Sequence, residues 1–301
     1  MRTAFIQQLV EEAKHNDKIF LIVGDLGFNV VEEFATLFPD RFLNAGVAEQ
    51  NIVGLASGLA IEGYTVYIYS IGNFPTLRCM EQIRYDIAYH NLNVKIVAVG
   101  GGYAYGTLGT SHHATEELGM LRTIPNMIVC APGDPIETKA MVKWTTQYRG
   151  PAYLRLGKAG EPIVHKEEIN NLHIGDILSI KKGTSTAILS TGSMLSYAHD
   201  FILNNKTNAS LYSCPFVKPI NKVHLKNIAE NYTEIITIEE HQASGGFGSA
   251  ILELYNDLYQ NNEISSFPRI KRIAIQDKFY NVSGSQNYLR KLAKLEIDTL
   301  L

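Results

Sequence analysis

The chain is poor in cysteine: Cys79, Cys130 and Cys214 are its only three, odd in number, far apart, and without Cys-x-x-Cys or Cys/His spacing. That excludes a disulfide framework and a zinc ribbon, and leaves reduced thiols in a cytoplasmic protein as the expectation. Charge of one sign is lacking too, with 27 Lys and Arg against 30 Asp and Glu and a formal net charge of −3. The basic residues are scattered apart from small groups such as Lys271–Arg272, so neither nucleic acid nor an acidic membrane is expected as partner. No run approaches the ~18 consecutive apolar residues of a membrane span. Met1-Arg2-Thr3 leads straight into an amphipathic pattern, with no apolar stretch and small-residue cleavage site of a signal peptide. No repeat or low-complexity tract stands out.

What is present is ordinary for a soluble α/β chain: 301 residues, 46% hydrophobic and 19% charged, enough to bury two cores. Phe5, Ile6, Leu9, Val10 and Ala13 recur at helical spacing over residues 3–15. Strands are expected at 19–23, 42–45, 65–69, 94–99 and 127–130, with helical stretches between several of them. Such β/α alternation predicts a mainly parallel sheet covered on both faces. After residues 151–156 the pattern loosens, and 158–183 reads as a linker with an edge hairpin. A second series follows, with strands near 186–189, 209–212, 234–238 and 272–275 and helices near 194–204, 222–230 and 247–260. The reading is α/β, two three-layer domains of mainly parallel sheet flanked by helices, at residues 1–168 and 169–301.

The most informative segment is Asn44-Ala-Gly-Val-Ala-Glu-Gln-Asn-Ile-Val-Gly-Leu-Ala-Ser-Gly58. A helix from about residue 48 to 61 would carry Gly54 and Gly58 on one face, each costing about 1 kcal/mol relative to Ala. A helix that bears this cost is expected to let another backbone approach closely. Glu49 would sit at its start, directly after a strand, where an open α/β sheet places its ligand crevice. From the residues alone, Glu49 is either a ligand contact or a carboxylate complementing the helix N-terminus.

The string Gly46-Val-Ala-Glu-Gln-Asn51 with its small-residue helix resembles the glutamate motif of the transketolase family's pyrimidine-binding domain. The resemblance implies that Glu49 hydrogen-bonds the aminopyrimidine of thiamin diphosphate and acts as general acid–base, exchanging a proton at the ring nitrogen N1′ so that the 4′-amino group can deprotonate C2. It extends to residues 73–84, where Phe74 matches an aromatic packing on the aminopyrimidine, Arg78 is a neighbouring pocket residue and Tyr69 a second stacker. Without it, Phe74 reads as a core aromatic. Asp25, closing the first strand, joins the cofactor-binding candidates.

Residues 100–113 form a Gly-rich loop ending in a His pair; alone, it reads equally as a solvated loop or as backbone approaching a ligand. The stretches 110–117 and Leu121-Arg-Thr-Ile-Pro-Asn126 resemble the transketolase loop whose histidine faces substrate. His112 matches that catalytic position, and His113 stands where glutamine is common. Arg155 matches an arginine that holds a sugar phosphate by bidentate donation, its alternative being a structural ion pair. Ser190–Ser193, Glu239–Gln242, Gly245–Gly248 and Asp277 resemble the family's C-terminal domain and are read as packing or subunit contacts.

The sequence also departs from its relatives. Leu108 stands in place of an aspartate that reads a sugar hydroxyl, and Gly100 in place of a phosphate-contacting histidine, so a less common sugar acceptor is expected. The family's Gly-Asp-Gly magnesium and diphosphate motif is absent, since Gly24-Asp25-Leu26 and Gly133-Asp134-Pro135 both break it. The resemblance therefore implies the small subunit of a split, thiamin-diphosphate- and Mg²⁺-dependent transketolase that moves a two-carbon ketol unit between sugars. Its partner would carry the diphosphate site, in an α₂β₂ heterotetramer. The alternatives are the β subunit of a 2-oxoacid dehydrogenase E1 component and a non-catalytic scaffold.

Overall fold

The computed structural model describes residues 1–297; the last residues of the expected second domain, 298–301, lie outside the described residues. The first series runs α1 (Arg2–His15), β1 (Ile19–Val23), α2 (Glu32–Leu37), β2 (Phe42–Asn44), α3 (Glu49–Ile61), β3 (Thr65–Ile71), α4 (Met80–Gln82) continuing as a π turn over Ile83–Tyr89, β4 (Val94–Val99), α5 (Glu117–Arg122), β5 (Ile128–Cys130), α6 (Pro135–Gln147) and β6 (Ala152–Leu156). The second runs β7 (Leu178–Lys181), β8 (Ala187–Ser190), α7 (Met194–Asn204), β9 (Ser210–Ser213), β10 (Phe216–Lys218), α8 (Lys222–Asn231), β11 (Glu234–Gln242), α9 (Phe247–Gln260), β12 (Arg269–Ile275) and α10 (Gln286–Leu292).

Two mainly parallel sheets result, as the alternation predicts. The first has strand order β10-β5-β6-β4-β3-β1-β2 and the second β12-β11-β8-β9-β7. Strands buried on both faces read as unbroken apolar runs, and β4 is buried at every position. Even its Lys95 is inside. Its ammonium donates to the carbonyls of Tyr148 (2.8 Å) and Gly150 (2.6 Å), while burial pushes its pKa down to about 7. Alternation along β3 divides its side chains between the two covered faces. Val66 and Ile68 join the cluster with Ile52, Val53 and Ala56 of α3; Tyr67 and Tyr69 join the cluster with α1 and α2.

One expectation of the fold is corrected. No hairpin forms in 158–183: only β7 is extended there, and it is the edge strand of the second sheet, paired antiparallel with β9. Part of the preceding segment is tied down instead, because Asp134, the N-cap of α6, accepts from the backbone N–H groups of Val164 and His165, both at 2.9 Å. The short β10, unnoticed in the sequence, leaves the second series and pairs antiparallel with β5 of the first sheet. The close backbone approach expected at Gly54 and Gly58 does not occur within the chain, where an added Cβ would meet nothing within 4 Å at either.

Candidate active site

The chain passes from β1 outward to β2, then crosses by α3 to β3 on the other side of β1. This reversal makes a switch point, and ligands in open α/β sheets bind beyond the carboxyl ends of the strands at such a point. Glu49 is the first residue of α3 and lies over that end. Its side chain is only 4% exposed, with Ser70 Oγ of β3 3.4 Å from Oε1 and Arg78 Nη1 3.3 Å from Oε2. Asn44 closes the turn into α3: its Oδ1 accepts from the N–H groups of Asp25 (3.0 Å) and Gly46 (3.1 Å), and its Nδ2 donates to Asp25 Oδ1 (3.0 Å). Asp25 therefore props the loop and is itself exposed.

From Glu49 a continuous row of side chains leads to the Gly-rich loop. The Arg78 guanidinium lies 4.1 Å over the Phe74 ring, a cation–π geometry. Phe74 in turn meets the His112 ring edge-to-face at 5.3 Å. Gln50 Nε2 fastens the row from below by donating to the Arg78 carbonyl at 2.9 Å. His112 Nδ1 lies 3.0 Å from Ser111 Oγ. Four residues picked from three stretches of sequence thus form one wall. A cleft of about 530 Å³ opens in front of Val47, Ala48, Glu49, Gln50, Asn51 and Arg78.

Two expected contacts lie elsewhere. Tyr69 is 1% exposed and stacks on Phe5 at 5.7 Å, because strand alternation turns Ser70, not Tyr69, toward Glu49. It cannot stack on a ligand held by Glu49. Ser70 was missed by sequence reasoning, although the same period-2 logic identifies it. Arg155 is 5% exposed and its Nε lies 2.7 Å from Oε1 of the fully buried Glu117. Its Nη2 donates to the carbonyls of Ala114 and Glu240. With the guanidinium committed inside, the structural ion pair is its role and it does not face a sugar phosphate. Leu108 is 55% exposed at the loop tip. At Gly100 (φ +91°) an added Cβ would come within 2.2 Å of the Tyr105 ring, so Tyr105 fills the space that a side chain there would need.

Of the second-series segments, some brace the second half internally and others tie it to the first. Thr191 Oγ1 donates to the Cys214 carbonyl at 2.8 Å. Glu239, pushed up to about 7 by burial, accepts from Phe247 N–H (2.6 Å) and Gly248 N–H (2.7 Å) at the start of α9. His241 Nε2 accepts from Gly119 N–H at 3.1 Å. Glu240 accepts from Tyr103 N–H at 2.7 Å and pairs with Arg290 of α10, which fastens the Gly100–Tyr103 turn to the second sheet.

The family model of the transketolase pyrimidine-binding domain matches residues 1–160, and that of the transketolase C-terminal domain matches residues 175–296. The chain belongs to the transketolase family. It is 33% identical to one of the subunits of the apulose-4-phosphate transketolase of Phocaeicola vulgatus over 260 residues, 85% of this chain and 83% of that one. It is likewise 33% identical to a putative transketolase C-terminal section of Methanocaldococcus jannaschii, over 305 residues that cover all of this chain and 93% of that one. Among solved structures, a split gene transketolase described as an inactive beta4 tetramer superposes with TM-score 0.85 at 32% identity, covering 99% of this chain and 94% of that one.

Transketolases depend on thiamin diphosphate, and the residues at the switch point fit one end of it. A buried carboxylate facing a cleft, with a half-buried aromatic beside it, suits a flat aminopyrimidine that needs one proton-exchanging hydrogen bond and one apolar face. The other end is a diphosphate. Among the described residues no group of three or more His, Cys, Asp or Glu could hold a metal ion. Nor is any described helix long and apolar enough to cross a membrane.

Proposed function

We propose that this chain is the small subunit of a split, thiamin-diphosphate-dependent transketolase, transferring a two-carbon ketol unit between sugars once joined to a partner that carries the magnesium and diphosphate site. The observation that carries the reading is the buried Glu49 carboxylate at the switch point, joined through Arg78 and Phe74 to His112. Bound thiamin diphosphate supplies the nucleophilic carbon. Glu49 would give and take a proton at the aminopyrimidine nitrogen, Arg78 would hold that carboxylate in place, Phe74 would present its ring to the aminopyrimidine, and His112 would serve the reacting sugar oxygens. Asp25 would reach the cofactor only through the loop that it props.

The names of the relatives support a subunit that acts with another, and the inactive beta4 assembly of the solved relative supports dependence on it. The uncovered face of α3, with Gly54 and Gly58 open and Leu55 and Ile61 exposed, suits a docking partner in a cytoplasmic α₂β₂ heterotetramer. The domain division is proposed at 168/169.

The test is Glu49→Gln, which is nearly isosteric, in the complex with the partner. Exchange at C2 of the bound cofactor, read by NMR after an acid quench, should slow by about 10²–10⁴-fold, while the isolated wild-type chain should bind thiamin diphosphate weakly and not turn over. Exchange near the wild-type rate would remove Glu49 from the mechanism, and strong ketol transfer by the chain alone would end the split-enzyme reading.

A further inference from the structure

His112 stands on a loop that is closed at its neck. Gly102 and Ala114 form an isolated antiparallel bridge, with N–H to carbonyl distances of 2.7 Å and 3.0 Å in the two directions. Between them the chain makes two short 3₁₀ turns, Gly106–Leu108 and Thr110–His112. A loop with no longer element of its own takes its position from what touches it.

The second domain touches this loop at three points. At the neck, Glu240 Oε1 accepts from Tyr103 N–H at 2.7 Å. The carboxylate arm lies so close that a Cβ added at Gly102 (φ +65°) would come within 2.6 Å of Glu240 Cγ, which only glycine allows. At the first turn, Gly284 N–H donates to the Gly106 carbonyl at 3.1 Å, and a Cβ added at Gly106 would come within 2.3 Å of Leu289 Cδ1. At the second turn, Thr110 Oγ1 donates to the Tyr280 carbonyl at 3.3 Å. From the first domain, Arg155 Nη2 donates to the Ala114 carbonyl at the neck.

Glu240 is itself held. It is 2% exposed, and a buried carboxylate is costly unless it is paired and hydrogen-bonded. Arg290 Nε donates to Oε2 at 2.7 Å, and Arg290 Nη2 donates to the same oxygen and, at 2.8 Å, to Ser193 Oγ. Gln286 Nε2 lies 3.2 Å from Oε1 and 3.0 Å from Oε2. Gln286, Leu289 and Arg290 stand at i, i+3 and i+4 along α10 and so share one face. That single face seats the first turn of the loop and also fixes the carboxylate that grips its neck.

We infer that Glu240, braced by Arg290 and Gln286, is a positioning residue for His112: the second domain sets where the imidazole stands, without touching the reacting atoms. The inference rests on the transketolase reading and deepens it, by dividing the positioning of the site between the domains. Glu49 is held by Ser70 and Arg78 of the first domain. Cofactor activation should therefore survive release of the clamp, while the sugar steps that use His112 should not.

The test is Arg290→Ala in the complex with the partner. Since a misplacement of about 1 Å can cost roughly 10²-fold, kcat for ketol transfer should fall by about that factor, with C2 exchange of the bound cofactor at the wild-type rate. Millimolar guanidinium should restore part of the loss and tetramethylammonium should not, because the site takes a planar fork of donors. In the full chain with ¹⁵N-labelled histidine, the His112 resonances should shift in Arg290→Ala and return with guanidinium. Arg290→Lys, which keeps the charge, and Gln286→Ala, which keeps the ion pair, should show smaller losses in the same sense and carry the test if Arg290→Ala does not fold. Wild-type kcat in the folded variants, unmoved His112 resonances, or a fall in C2 exchange equal to the fall in kcat overturns the clamp and leaves the enzyme reading standing. A His112 shift that guanidinium reverses, beside a wild-type complex that transfers no ketol group, keeps the clamp and removes the enzyme reading.

Discussion

Replacing Arg155 by Met separates a phosphate-binding arginine from one that holds the fold. In the structure Arg155 and Glu117 are 5% and 0% exposed, with Nε and Oε1 2.7 Å apart. Removing the guanidinium leaves Glu117 with the Tyr153 hydroxyl at 3.3 Å as its side-chain partner. Burial already raises the pKa of Glu117, so its answer is to take up a proton at a cost. Removing one member of a buried pair costs about 3–5 kcal/mol, and the Ala114 and Glu240 carbonyls, which lose a donor, add roughly 1 kcal/mol each. A loss near 5 kcal/mol is a large share of the ~5–15 kcal/mol that holds a domain together. Urea unfolding can be followed through Trp144, which stacks on Tyr148 at 4.9 Å and meets Phe216 at 5.1 Å. At a slope of about 3 kcal/mol per molar, the midpoint should fall by roughly 1–2 M. The double variant Arg155→Met/Glu117→Gln should recover most of that loss, because no unpaired buried charge remains. If Arg155→Met unfolds at the wild-type midpoint and instead raises KM for a phosphorylated sugar, the ion-pair reasoning is wrong and Arg155 is a ligand residue.

His241 is held neutral, pushed down to about 4 by burial, with Nδ1 2.9 Å from the Gln242 carbonyl and Nε2 accepting from Gly119. Between pH 6.5 and about 4 the unfolded chain binds a proton that the folded chain refuses, so stability should fall with pH by roughly 3 kcal/mol across that window; melting temperature against pH should flatten there in His241→Gln, and an unchanged slope would refute the assignment. Tyr69→Phe removes a buried hydroxyl without a hydrogen-bond partner, and should leave thiamin diphosphate binding by the complex unchanged while keeping or slightly raising the melting temperature. Weakened cofactor binding would restore Tyr69 as a stacker. Leu108→Asp, at the exposed loop tip, should shift kcat/KM toward ribose 5-phosphate over keto and nucleotide sugars. No change, with wild type already preferring ribose 5-phosphate, would show that this position does not set specificity.

Much of the fold was legible because the signals are local. The apolar run 19–23 is β1 to the residue, 94–99 is β4, and the helices at 194–204 and 247–260 are α7 and α9. The hairpin expected in 158–183 failed because its polar, Gly-containing stretch is tied down in part by Asp134, distant in sequence, rather than by a partner strand of its own. The short β10 was invisible for the same reason: three residues carry no periodicity, and only the edge of β5 makes them a strand.

The site divides along a similar line. The resemblance carried by the motifs implied that Glu49, Phe74, Arg78 and His112 belong to one site, whereas the residues alone left Glu49 and Phe74 with other readings. Whether a side chain faces the cleft or the core is decided by the sheet, and there the tertiary structure overruled the motif. Strand alternation turned Tyr69 onto Phe5 and gave its place beside Glu49 to Ser70. The buried carboxylate of Glu117 claimed Arg155. Only packing of the second domain against the Gly-rich loop brought Glu240 to the Tyr103 N–H, because a contact between residues 137 positions apart exists only once burial of apolar surface has drawn the two sheets together.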